Sequence, residues 1–187
     1  GMMKFDTADL DNLGIRLNDV ILHEMGHVLG FGTLWNFLTN ALLSQPGSGD
    51  PFFNGAASRG AFLAAAATGT TFTGNPVPVE NSGGAGTRDA HWREATVTTE
   101  LMTGFISAPG IQNPLSAFTA TSFRDMGYVV NDAVADAFTF QAALMAALAP
   151  APLSSPLGAF RLVEAPLPDP ILVINRHGRV IRRVPRY

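Results

Sequence analysis

From Val20 to Leu29 apolar residues stand at Val20, Ile21, Leu22, Met25, Val28 and Leu29, and this spacing predicts a buried helix. Asn18 is suited to cap its first turn, Asp19 complements its positive end, and Gly30 ends it. Ahead of it, residues 1–17 mix Asp6, Asp9 and Asp11 with apolar residues and read as a lead-in strand or turn.

Beyond Gly32 the pattern becomes punctuated. Trp35 to Leu43 reads as a short helical or turn element, Gln45 to Asn54 as a loop, and the alanine-rich Ala56 to Ala67 as a helix. Thr68 to Arg88 is rich in Gly, Thr and Pro, a loop with one short strand at Val77 to Glu80. Its Gly83-Gly84-Ala85-Gly86 run follows no convincing strand and lacks a lysine, so a flexible loop is expected there rather than a phosphate cradle. Pro114 to Tyr128 is apolar at Leu115, Phe118, Phe123 and Met126 with Gly127 as a C-terminal stop, a second main helix. Ala133 to Ala149 is expected as a third, with Phe138 and Met145 as core residues. Pro150 to Pro170 holds 6 prolines and reads as an irregular linker, and Ile171 to Val184 is apolar on both sides of Asn175 to Gly178, a hairpin signature.

Composition narrows the class. A chain of 187 residues with 47% hydrophobic content can bury a substantial core, and its net charge of −3 is small. The distribution is uneven: residues 1–170 carry 7 basic and 15 acidic side chains, whereas 171–187 carry 5 Arg and no acid. Such a body is not expected to attract nucleic acid. With no cysteine, any metal must be held by His and carboxylates. Gly1 before Met2-Met3 reads as a tag-cleavage remnant, no signal peptide follows it, and no run approaches the length of a membrane span. The sequence carries no signal for oligomeric state.

The chemistry lies in the first helix. His23 and His27 are four residues apart, about 40° of rotation and about 6 Å of rise, so both imidazoles leave one face and can share one zinc ion. Glu24, about 100° round the helix from His23, is poorly set to join them as a ligand and well set to act as general base on an attacking water. A catalytic zinc keeps three protein ligands and one open position, so one ligand is still to be found. His91 is the preferred candidate. His177 sits in the expected hairpin turn between Arg176 and Arg179, where like charge disfavours a cation, and Glu94 or Glu100 would make a different kind of zinc site.

HEMGHVLGFG, a long insert, then HWRE and ELMTG together resemble the leishmanolysin family of metzincin metallopeptidases, especially its cysteine-free bacterial members. The resemblance covers residues 5 to about 139. It implies His23, His27 and His91 as Zn2+ ligands, Glu24 as general base, Gly30 as the turn residue and Met102 as the methionine of a turn beneath the metal. The compact metzincin motif would have its third histidine at position 33, where Thr33 stands, and leishmanolysin-like chains insert a segment at this point. The helix at Pro114 to Tyr128 is similar to the one closing the family's lower lobe. Tyr128 is expected to be a packing residue.

The expected fold is therefore α+β and mainly helical: a zincin or metzincin-like catalytic lower lobe with a reduced or missing N-terminal sheet lobe, since 22 residues precede His23. The expected division is a peptidase domain at 1–149 with an insert at 34–90 between the second and third ligands, a linker at 150–170 and a basic hairpin tail at 171–187. The expected activity is zinc-dependent hydrolysis of peptide or protein substrates, and the resemblance implies an extracellular setting. The competing reading, a zinc-stabilised peptide-binding or structural module without catalysis, sits poorly with an intact Glu24.

Overall fold

The computed structural model describes residues 3–5, 10, 13–38, 40–66, 77–140, 160–162, 171–174, 177 and 179–184. Helix α1 (Leu17–Leu29) grows straight out of a 3-10 turn at Gly14–Arg16. Asn18 is not its cap. The helix starts one residue earlier with no side-chain cap, and the Leu17 N–H already bonds the Gly14 carbonyl, so a main-chain turn does the work expected of the asparagine. Asp19 does lie in the first turn, where its Oδ2 accepts from Asn113 Nδ2 at 2.8 Å. At the far end Gly30 adopts φ 112°, a conformation costly for other residues, and its N–H returns to the Gly26 and His27 carbonyls.

The inward stripe of α1 is Val20, His23 and Gly26, whereas Leu22, Met25 and Leu29 are exposed. This differs from the expectation of an apolar face turned inward. The helix is oriented by what its histidines and Gly26 touch.

Turns after α1 carry Phe31 and Trp35 into the core. Three two-residue strands, β1 (Leu43–Ser44), β2 (Phe52–Phe53) and β3 (Val77–Pro78), then pair antiparallel in that order, with Phe53 opposite Leu43 on one side and Val77 on the other. Pairing continues past β3 as single bridges, Val79 to Trp92 and Trp92 to Thr103. A ladder thus connects the small sheet to the residues following His91 and Met102.

The core is built on aromatic edges and faces. Phe31 lies 4.7 Å from Trp35 and 4.9 Å from Trp92 between ring centroids, and Phe53 packs 4.9 Å from Trp35. Helix α2 (Ala56–Ala66) packs on α4 (Ala117–Asp125), with Phe62 against Phe118 at 5.4 Å. These two helices are also stitched by polar groups: Asp125 accepts the Ala57 and Ser58 N–H groups, each at 2.9 Å, and the Ser58 hydroxyl donates to the Phe118 carbonyl. Between them in sequence is the short helix α3 (Glu94–Val97).

Two expectations are corrected in part, over the described residues. Where a third main helix was expected over 133–149, the chain makes a 3-10 turn at Asp132–Val134 and runs without helix to Thr139; Phe140 is helical, and 141–149 lie outside the described residues. Asp136 is the cause: its N–H bonds the Leu115 carbonyl and its carboxylate takes the Leu115 N–H, both at 2.9 Å, which commits this backbone to a partner far along the chain. Phe138 is nevertheless a core residue, 5.4 Å from Phe118, while Met145 is outside the described residues.

The second concerns the segment expected as an irregular linker. Within it β5 (Phe160–Arg161) pairs antiparallel with β4 (Phe105–Ile106), and Leu162 is buried with Val20 and Ile106. The prolines fall at both ends of this segment and leave 157–165 free of them, so its N–H groups can enter a ladder. Farther on, β6 (Ile171–Ile174) and β7 (Val180–Val184) form an antiparallel hairpin with exposed His177 in its turn. The described residues form an α+β fold, and no helix among them is long and apolar enough to cross a membrane.

Candidate metal centre

Three imidazoles meet where α1 faces the ladder. His23 and His91 are fully buried and His27 is partly so. Their Nε2 atoms form a near-equilateral triangle with sides of 3.0, 3.0 and 3.1 Å. On the outer side every Nδ1 meets a main-chain carbonyl: His23 that of Leu101 at 2.7 Å, His27 that of Phe31 at 3.0 Å, His91 that of Thr87 at 3.0 Å.

These six distances determine the chemistry. A carbonyl oxygen only accepts, so each Nδ1 carries the proton, and in a neutral imidazole the Nε2 then presents a lone pair. Three lone pairs about 3 Å apart repel one another unless a cation lies among them. Three nitrogens on one tetrahedral zinc, each at about 2.0–2.1 Å, are spaced by roughly 3.3–3.4 Å, so the observed triangle needs only a few tenths of an ångström of adjustment. The donor set fits a borderline-soft divalent cation such as zinc, with the second layer of carbonyl contacts already in place.

Each carbonyl comes from a different piece of chain. Phe31 lies in the turn that Gly30 begins. Gly32 follows it so closely against Ala90 that a Cβ there would strike the Ala90 backbone, and this close approach brings the end of α1 beside His91. Thr87 ends the glycine-rich loop, whose role is thus to offer a carbonyl, and Arg161 on β5 holds that loop through the Gly83 carbonyl and the Thr87 hydroxyl. Leu101 precedes Met102, which is buried with its thioether against α1: a Cβ on Gly26 would lie 2.8 Å from Cε and 2.9 Å from Sδ. The Met102 carbonyl takes the Trp92 N–H at 2.9 Å, locking this turn to the residue after His91.

Among the described residues, the group of three or more His, Asp or Glu side chains able to share a metal ion is His23, His27 and His91. A model of the leishmanolysin family matches residues 1–149 of the chain. The chain belongs to the leishmanolysin family of metallopeptidases. No curated protein and no solved structure matches it.

In this family member the other sequence candidates lie elsewhere. His177 is exposed in the hairpin turn, and Thr33 donates its hydroxyl to the His27 carbonyl at 3.2 Å. Tyr128 donates its hydroxyl to the Leu29 carbonyl at 2.8 Å, at the end of α1. Glu24 is half-buried on α1 beside His23. Burial pushes the Glu94 carboxyl from its ordinary 4.5 up to about 7; a side-chain hydrogen bond with Thr103 opposes the rise and the nearby Glu80 carboxylate adds to it. Glu100 is fully buried, and burial raises its carboxyl against the pull of hydrogen bonds from Ser116, Thr119 and Met102. The three carbonyl partners have no sequence signature, because any residue type supplies the same C=O. Glu100 was legible only as an alternative ligand, and its hydrogen-bonded neighbours follow it by up to 19 positions.

Proposed function

We propose that this chain is a zinc-dependent endopeptidase in which His23, His27 and His91 hold the metal through Nε2 and Glu24 is the general base. The observation that carries the reading is the set of three outward Nδ1–H groups donating to carbonyls, which turns three Nε2 lone pairs on one point. Zinc bound there supplies a Lewis acid that polarises the scissile carbonyl and makes water nucleophilic near neutral pH.

The protein's own groups do the rest. Glu24 takes the proton from the attacking water as its oxygen bonds the carbonyl carbon, then delivers that proton to the amine nitrogen as the C–N bond breaks. Met102 serves as the methionine of the turn beneath the site, its thioether against Gly26, in keeping with a metzincin-like catalytic lower lobe. The substrates are peptides or proteins, and the setting is extracellular.

Replacing Glu24 with Gln separates base from ligand. Glu24→Gln should keep about one zinc per chain while peptide hydrolysis falls by roughly 10²–10⁴-fold, the usual contribution of a general base. Hydrolysis at the wild-type rate, or zinc lost together with activity, overturns the assignment.

A further inference from the structure

Glu100 is a fully buried carboxylate outside the histidine group, and every hydrogen bond recorded for its carboxylate comes from a donor. Its Oε1 accepts from the Ser116 N–H at 3.1 Å, the Ser116 hydroxyl at 2.6 Å and the Thr119 hydroxyl at 2.5 Å; its Oε2 accepts from the Met102 N–H at 2.6 Å. The Ser116 and Thr119 contacts anchor the start of α4, since the Ser116 hydroxyl also caps that helix by accepting the Thr119 N–H. The Met102 contact does something different.

The N–H of Met102 and the carbonyl of Leu101 belong to one planar peptide group, pointing in opposite directions. Glu100 holds the first at 2.6 Å, and His23 Nδ1 donates to the second at 2.7 Å. A single rigid unit therefore connects a buried carboxylate to a ring of the metal centre. Charge on the carboxylate polarises that peptide, strengthening the Leu101 oxygen as an acceptor and raising the electron density of the imidazole. Metal-binding histidines are often backed by a carboxylate directly; here a peptide plane stands between the two.

Building on the proposed zinc reading, we propose that Glu100 is a positioning residue for His23, acting through the Leu101–Met102 peptide to orient the ring and increase its strength as a metal ligand. The requirement for a carboxylate is chemical. A main-chain N–H points at each of its two oxygens, and only a group that accepts at both ends meets them. Glutamine offers one oxygen and one NH2. With its oxygen kept toward Ser116 and Thr119, its NH2 faces the Met102 N–H, donor against donor, and the peptide plane is released.

The test compares Glu100→Gln with Ser116→Ala, which removes the helix cap and one hydroxyl on Oε1 but keeps the Met102 contact. Zinc affinity is measured by chelator competition at a temperature where both variants are folded, beside their thermal midpoints and the visible spectra of their cobalt-substituted forms. Glu100→Gln should weaken zinc binding about tenfold, the lower end of the range for groups that orient metal ligands, and shift the cobalt bands. Ser116→Ala should lower the thermal midpoint while zinc affinity stays within about twofold and the cobalt bands stay in place. Zinc affinity that is unchanged in Glu100→Gln, or that drops equally in both variants, makes Glu100 structural only and overturns the inference.

Should Glu100→Gln not fold, the Met102 amide of the wild-type chain decides. A short bond to a carboxylate should move its proton well downfield by NMR and protect it from exchange, and an ordinary shift with ordinary exchange overturns the inference. A wild-type chain that takes up no zinc overturns the metal reading itself, whereas a zinc-binding wild type with an unaffected Glu100→Gln variant overturns only this step.

Discussion

The carbonyl of Leu101 lies 2.7 Å from Nδ1 of His23, across 78 positions of sequence. This contact sets the tautomer, aims the ring, and joins the helix carrying two imidazoles to the turn carrying Met102. Phe31 and Thr87 do the same for His27 and His91 at 3.0 Å each. The three rings are thus held by main-chain acceptors, so the cost of ordering them is met during folding.

The approach of Met102 to α1 depends on Gly26 lacking a side chain. Gly26→Ala would bring Cβ to 2.8 Å from the methionine Cε, and although the thioether end can move, it sits in a filled core. Urea unfolding should report a loss of about 1–3 kcal/mol, the usual cost of overpacking. The loss should shrink in a Met102→Ala background; an equal loss there would place the strain elsewhere.

Glu94 gives the stability a defined pH slope. With its folded carboxyl at about 7 and its ordinary value at 4.5, the folded chain holds a proton that the unfolded chain releases. The sign follows: a group more readily protonated when folded supports the fold below pH 4.5, and that support is withdrawn as pH rises toward 7, above which the difference is constant. Glu94→Gln lacks this slope. The thermal midpoint of the wild type minus that of Glu94→Gln should therefore decrease as pH is raised across that window, and a flat or rising difference would contradict the buried, Glu80-facing environment.

How much of this was readable beforehand depends on the distance over which each signal acts. His23 and His27 were legible because helical periodicity lies within ten residues of chain, and Gly30 because a left-handed turn needs a glycine. His91 was reachable by comparing the few remaining candidates and by family likeness. The carbonyls of Phe31, Thr87 and Leu101 were not, since a main-chain acceptor has no residue identity. Long-range pairing also overrode local propensity over 133–139: alanine content pointed to helix from Ala133, but Asp136 is paired to Leu115 and helix begins only at Phe140. Phe160–Arg161 was hidden by the prolines on either side, although the stretch between them is free to pair.

Asp125 caps a helix to which it does not belong, taking two N–H groups at the start of α2 from the end of α4. Asp125→Ala leaves both donors without this acceptor and should cost about 1–2 kcal/mol in urea unfolding. Because the Asp125 carboxylate bonds the start of α2 and none of the three histidines, zinc content per folded chain should be unchanged. A loss below about 0.5 kcal/mol, the floor for removing such a cap, would mean that water replaces the carboxylate.

The central claim is that three imidazoles, and no carboxylate or tail histidine, hold one metal ion. Zinc per chain, determined by elemental analysis after equilibration with a zinc buffer, tests it in the wild type beside His91→Ala and His177→Ala. The account predicts about one zinc in the wild type and in His177→Ala, and strongly reduced zinc in His91→Ala, because a third ligand is needed to complete the site. A metal-free wild type, or full zinc retention by His91→Ala, would contradict it.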